Sequence, residues 1–106
     1  MTLVFAAAVI FSTAPPDLAS IDRLYLHRHE AGNLGESIAL LEERLRRDPS
    51  ESAALWRLGR SLVRRGEKQA SPGGKLADFS RARELIEKSI SLEDKYTEAH
   101  FLRGVA

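Results

Sequence analysis

Apolar residues recur at intervals of three and four along most of the chain, with polar and charged residues between them. This spacing places apolar side chains on one face of an α-helix, so it predicts a series of amphipathic helices and an all-α fold. The clearest stripes are Ile38, Leu41 and Leu45, then Leu55, Leu58, Leu62 and Val63, and then Leu76, Phe79, Ala82, Ile86 and Ile90.

Capping residues predict where these helices begin and end. Asp17 follows two prolines and is expected to cap the first helix, which Gly32 ends by adopting the left-handed conformation. Asn33 and Glu36 have the spacing of a capping box for the second helix, which Pro49 closes. The predicted helices are 18–31, 34–47, one opening at Ser50, one over about 76–92 and one from about Thr97.

The chain also repeats itself. Leu24 and Leu58 are 34 residues apart, whereas Leu41 and Ile86 are 45 residues apart. The difference of 11 predicts an insertion near 67–77, between the two helices of the second copy, where a Ser-Pro-Gly-Gly stretch would break a helix. The register then gives a first repeat at 18–51, a second at 52–96 and a partial third at 97–106.

Residues at fixed places in this register resemble those of the tetratricopeptide repeat (TPR). The pair Leu58-Gly59 resembles the TPR pair that lets adjacent helices approach closely, although Tyr25 replaces that glycine in the first copy and Asp94 replaces the terminal proline in the second. Residues 52–106 are also similar to the TPR region of the regulator of microtubule dynamics family and of bacterial repeat proteins. Further matching positions are Gly32, Ser37, Leu41, Pro49, Gly66, Ala82 and Ile86.

The TPR resemblance implies about two and a half helical hairpins in a short right-handed superhelix, with a concave groove lined by the first helix of each hairpin. Arg57, Arg60 and Arg64 are spaced i, i+3, i+7, which sets three guanidinium groups beside Trp56. Because arginine binds carboxylates with two hydrogen bonds and tryptophan anchors interfaces, we expect a scaffold or adaptor that binds an acidic or C-terminal peptide. The expected groove residues are Arg23, Leu26, His29, Trp56, Arg57, Arg60, Val63, Arg64 and Phe101.

A structural alternative accounts for the same residues. Arg57 and Arg64 would then pair with neighbouring acidic residues, and Trp56 would pack between repeats. The carboxylate clamp of chaperone-binding TPRs is not expected, because that clamp needs Lys and Asn where this chain has Asp22 and Leu26.

Composition narrows the candidate chemistry. Sixteen basic and fifteen acidic residues give a net charge of +1, so no overall field favours nucleic acid. There is no cysteine, and the Ser-Pro-Gly-Gly-Lys stretch lacks the earlier glycine and the following hydroxyl of a phosphate-binding loop. His27 and Glu30 share a helical face, but two ligands do not complete a zinc site. We therefore expect no enzyme, no cofactor and no metal.

Both ends of the chain suggest further interactions. Leu3–Phe11 is an unbroken apolar run, so 1–17 is expected to be a signal peptide, an export anchor or a docking segment, with membrane proximity and an exported location favoured over a cytoplasmic one. A misplaced gene start is the alternative. In 97–106, Phe101 and Val105 have no following helix to cover them. The chain could thus be a fragment, a self-associating assembly subunit (a homo-oligomer through this segment) or a regulatory domain of a larger complex.

Overall fold

The computed structural model describes residues 16–93, and the fold of this part is all-α, as predicted. No strand is present between these residues, and none of their helices is both long and apolar enough to cross a membrane. The predictions for the N-terminal apolar run and for the third repeat, including Phe101, lie outside the described residues. The four helices are α1 (Leu18–Leu26), α2 (Asn33–Arg47), α3 (Ser52–Lys68) and α4 (Pro72–Leu92).

Each helix packs antiparallel against the next one along the chain. At the α1–α2 pair, Arg44 near the end of α2 donates to the backbone carbonyl of Pro16, which precedes α1 (3.1 Å). At the α3–α4 pair, Ser52 at the start of α3 lies against Ser89 near the end of α4, with 2.8 Å between the hydroxyl oxygens. The chain therefore forms two consecutive helical hairpins, α1–α2 and α3–α4.

The core is formed where the apolar stripes of the four helices meet. Serine residues complete it between α2 and α3: Ser37 and Ser61 are fully buried with their hydroxyl oxygens 3.4 Å apart, and Ser37 also donates to the Leu34 carbonyl (2.8 Å). These bonds satisfy hydroxyl groups that would otherwise be costly to bury. The central buried cluster comprises Ile21, Ile38, Leu41, Ala54, Leu58, Leu62, Val63 and Ala82.

Burial follows the two sequence offsets. In the first helix of each hairpin, Ile21 and Leu55 are buried at equivalent positions 34 residues apart. In the second helix of each hairpin, Leu41 and Ile86 are buried at equivalent positions 45 residues apart. The two offsets differ by 11 residues, the length of the insertion predicted between α3 and α4.

The predicted end of α1 and the predicted capping box are wrong. Asp17 caps α1 as expected, since its carboxylate accepts from the Ser20 amide at 2.8 Å, but α1 ends at Leu26 and a series of turns follows. Asn33 is the first residue of α2, and its side chain donates to the His27 carbonyl at 3.0 Å instead of capping α2. Residues 27–31 offer no apolar side chain larger than alanine to the core, so packing does not hold them in a helix.

The residues around the insertion also differ from the prediction. α3 runs to Lys68 and α4 begins at Pro72, rather than near Leu76, so only three residues connect the two helices. Proline is favoured at the first helical position, and the Ser71 hydroxyl accepts from the Gly74 amide at 3.0 Å. Residues 69–71 alone therefore connect the two helices, and the rest of 67–77 is helical rather than a loop.

Candidate functional site

The most elaborate polar arrangement joins α1 to α3. Asp22 on α1 accepts two hydrogen bonds from Arg57, at 2.9 Å from Nε and 3.1 Å from Nη2. It accepts a third from Arg60 Nη2 at 2.9 Å. The two arginines are three residues apart on α3, so both face α1 and share one carboxylate.

Tyr25, one helical turn after Asp22, organises the other side of this arrangement. Its ring lies under the Arg60 guanidinium, with 3.8 Å between Cζ and the ring centroid. Its hydroxyl accepts a hydrogen bond from Arg64 Nε at 2.9 Å. Tyr25 is only 7% exposed, so a rigid aromatic side chain holds two arginines at fixed positions.

Trp56 supplies a second aromatic surface. The Cζ atoms of Arg57 and Arg60 lie 4.5 and 5.0 Å from the centroid of its ring. These distances are those of cation–π contacts, which orient guanidinium groups as well as stabilising them. We call this set the arginine cluster; its members are Asp22, Tyr25, Trp56, Arg57, Arg60 and Arg64.

The three arginines differ in how many of their hydrogen-bond donors are already engaged. Every nitrogen of Arg57 is engaged, because its Nη1 donates to the Ala53 carbonyl at 3.1 Å while its other nitrogens bind Asp22. Arg64 Nη1 donates to Glu67 (3.0 Å). Within 16–93, Arg60 Nη1 and Arg64 Nη2 bind no acceptor and Arg60 Nε is buried without one, while the side chains of Arg60 and Arg64 are 17% and 31% exposed.

Charge and pKa follow from these contacts. Burial raises the pKa of Asp22, but the hydrogen bonds and positive charges of Arg57 and Arg60 outweigh it and hold that pKa below its ordinary value of 3.8. Asp22 is therefore ionised at neutral pH. The three arginines carry three positive charges, and the carboxylates of Asp22 and Glu67 carry two negative ones. The cluster together with Glu67 therefore has a local charge of +1.

The arginine cluster thus combines oriented guanidinium groups, two buried aromatic rings and a residual positive charge. Comparison with protein-family models, curated proteins and solved structures found no match to this chain.

The structure brings together only part of the predicted groove. Trp56, Arg57, Arg60 and Arg64 lie in the arginine cluster, but Trp56 is only 3% exposed and does not line an open groove; Val63, also 3% exposed, belongs to the core. The remaining predicted residues are distributed elsewhere: Arg23, Leu26 and His29 are exposed on α1 or in the turns after it, and Phe101 lies outside the described residues.

Tyr25 was not among the predicted site residues, although its position in the sequence held a signal. In the predicted repeat register it stands where a helix-packing glycine is expected, the position that Gly59 has in the second copy. Asp22 and Tyr25 are also spaced i, i+3 on α1, as Arg57 and Arg60 are on α3. Tyr25 departs from the repeat pattern, and its spacing from Asp22 equals the spacing between Arg57 and Arg60. Together these two signals could have identified Asp22 and Tyr25 as a pair.

The histidine region does not form a comparable site. His27 Nδ1 lies 3.2 Å from Glu30 Oε2, and both side chains are more than half exposed. In the part of the chain that the structure describes, no three potential metal ligands come together. An open depression of about 320 Å³ lies beside these residues, lined by Ser20, Arg23, Leu24, His27, Glu30 and Asn33.

Proposed function

We propose that this chain is a TPR-like scaffold that binds an acidic segment of a partner protein through the arginine cluster. The two hairpins would be consecutive repeats of a short right-handed superhelix, with a third begun by 97–106. Equivalent burial supports the repeat register: Ser37 matches Ala82, and Leu41 matches Ile86, each pair in second helices and 45 residues apart.

The observation that carries the binding proposal is the state of Arg60 and Arg64. Both are held in place by Tyr25, and each retains a terminal nitrogen without an acceptor within 16–93. Positioned guanidinium donors suit carboxylate ligands because little side-chain entropy is lost on binding. Arg57 serves a different role, since its engaged donors make it a support for the other two.

The chemistry of the cluster favours binding over catalysis. Its carboxylate, Asp22, is held in the ionised form by two arginines. A carboxylate stabilised in this way is a weak proton acceptor near neutral pH and carries no proton to donate. Neither role in general acid–base catalysis suits it.

Self-association remains the alternative proposal, and it depends on 97–106. Within the described helix α4, Leu76 and Leu92 are 68% and 48% exposed. They are 16 positions apart, which in a helix is about 24 Å along the axis and about 160° around it. These two leucines therefore do not form one apolar patch for a second copy.

A charge-neutral double variant tests the binding proposal. Arg60→Gln with Arg64→Gln should weaken binding of a fluorescent oligo-glutamate peptide by at least about tenfold, since hydrogen bonds to charged groups are lost. Fluorescence anisotropy gives the affinity, with an oligo-glutamine peptide of the same length as the ligand control. Arg83→Gln, on an exposed part of α4, removes a guanidinium outside the cluster and should leave binding unchanged.

The proposal fails if the natural chain binds the glutamate and glutamine peptides equally, or if the folded double variant keeps the natural affinity. A self-assembling subunit would show a concentration-dependent mass in light scattering that the double variant does not alter. That result, with no preference for glutamate, would favour the alternative.

A further inference from the structure

Asp22 occupies the position where a ligand carboxylate would be expected. Its two oxygens take three donors from Arg57 and Arg60, an arrangement that a free carboxylate between two guanidinium groups would also adopt. The Asp22 side chain is nevertheless 33% exposed, so it lies at the surface of the cluster and not beneath it.

We propose that Asp22 is an internal competitor of the ligand. The Asp22 carboxylate occupies the position between Arg57 and Arg60, and the site therefore selects segments with adjacent carboxylates over a lone carboxylate. This inference rests on the proposed function. A single ligand carboxylate can reach only the remaining donors of Arg60 and Arg64 while Asp22 stays bound. A segment with two adjacent carboxylates can use those donors and also replace Asp22.

Contacts other than those with Asp22 hold Arg57 and Arg60 in place when the Asp22 carboxylate moves away from them. Arg57 keeps its bond to the Ala53 carbonyl and its contact with the Trp56 ring. Arg60 keeps both of its aromatic contacts. The two guanidinium groups are therefore already in position, which lowers the free-energy cost of exchanging one carboxylate for another.

Asp22 is also able to leave. It has a short side chain on the nine-residue helix α1, and the three donors that hold it all come from α3. Rotation about one side-chain bond would move the carboxylate toward solvent without moving the helix. Because the competitor is attached to the same chain, its effective concentration is high, and a lone carboxylate is excluded most strongly.

Asp22→Asn tests the inference, because it keeps the shape of the side chain and removes its charge. The probes are two fluorescent peptides, one with several adjacent glutamates and one with a single carboxylate, measured by anisotropy at one ionic strength. Asp22→Asn should bind the single-carboxylate peptide about tenfold more tightly than the natural chain, since a competing negative charge is gone. Its gain for the oligo-glutamate peptide should be smaller, so the preference between peptides narrows.

Glu42→Gln is the matched control. Glu42 on α2 also holds an arginine of another helix with two bonds, both 2.8 Å from Arg81 on α4. The change removes the same charge from the whole chain but from a different interhelix pair, so neither affinity should rise.

The outcomes separate this inference from the proposed function. If the natural chain prefers oligo-glutamate but Asp22→Asn gains no affinity for either peptide, competition by Asp22 is refuted and the binding site stands. If neither protein binds either peptide, both proposals fail.

A measurement on the natural chain guards against a variant that does not fold. The carboxylate carbon of Asp22 should shift in NMR spectra when oligo-glutamate is added, because Asp22 loses its arginine partners. An unchanged Asp22 signal at saturating peptide would overturn the inference.

Discussion

Gly59 on α3 lies so close to Ile86 on α4 that a Cβ atom at position 59 would be 2.5 Å from Ile86 Cγ1. The same atom would be 3.1 Å from the backbone carbonyl of Ala82, which has less freedom to move than a side chain. α3 and α4 share the largest interface between helices, and Gly59 directly precedes Arg60. The close approach therefore fixes the helix that carries the three arginines of the cluster.

Gly59→Ala should destabilise the chain. Alanine gains about 1 kcal/mol of helix propensity over glycine, but overpacking a core contact costs about 1–3 kcal/mol, and here part of the contact is backbone. A net loss of about 1 kcal/mol in the free energy of unfolding is expected from urea denaturation.

Gly35→Ala is the control, because Gly35 is also helical but a Cβ atom added to it would meet nothing within 4 Å. It should stabilise the chain by about 0.5–1 kcal/mol, since only the propensity changes. Equal effects of the two substitutions would show that the α3–α4 contact is looser than the structure indicates.

Asp78→Asn should loosen the turn between α3 and α4. Asp78 is 5% exposed and accepts from Arg65 at 2.8 and 3.0 Å and from Gln69 at 2.9 Å. Removing its charge weakens these hydrogen bonds, while the partial exposure of Arg65 limits the loss of stability. We therefore expect the free energy of unfolding to fall by about 1–2 kcal/mol. Glu43→Gln, whose carboxylate pairs with arginines of its own helix at the surface, should have a much smaller effect.

The effect of Asp78 should depend on pH in one direction. The hydrogen bond from Arg65 lowers the pKa of Asp78 below its ordinary 3.8; burial opposes this, and Gln69 adds to it. A lowered pKa in the folded state contributes stability above the unfolded value and loses it as pH falls through the folded one. The stability difference between the natural chain and Asp78→Asn should stay constant from neutral pH to about pH 5 and shrink below 3.8. Loss of the difference near pH 6 would contradict this account.

Tyr25→Phe should weaken both ligand binding and the fold. The change keeps the ring under Arg60 but removes the hydroxyl that accepts from Arg64 at 2.9 Å. Arg64 would then be less well positioned, so oligo-glutamate affinity should fall several-fold, while unfolding free energy changes by about 1 kcal/mol. Anisotropy and urea denaturation measure the two quantities on one preparation. Natural affinity in Tyr25→Phe would show that the hydroxyl does not position Arg64 for the ligand.

Much of the fold could be predicted because its signals are local. The apolar stripes and Asp17 located three of the four helix starts to within about two residues. The predictions of two helix boundaries were wrong for the same reason. The end of α1 and the start of α4 depend on which residues find partners in the folded chain, and glycine or proline content alone does not report that.

At the candidate site, too, local spacing predicted one part of the arrangement and the packed helices decided the other. Spacing alone placed Arg57, Arg60 and Arg64 on one face of α3 beside Trp56, because helical geometry determines which side chains share a face. It assigned the three arginines the same role. Tertiary structure distinguishes them: Asp22, 35 residues before Arg57, binds two nitrogens of Arg57 and one of Arg60, and Tyr25 positions Arg64.

The sequence by itself determined most of the helix bounds and most of their buried faces, since each depends on residues within a few turns of one another. Only the tertiary structure decided which carboxylate meets which guanidinium, because that pairing requires α1 and α3 to pack at one particular rotation and height. Side chains separated by more than thirty residues carry no local signal of their contact, so the role of each arginine emerged only from the packed helices.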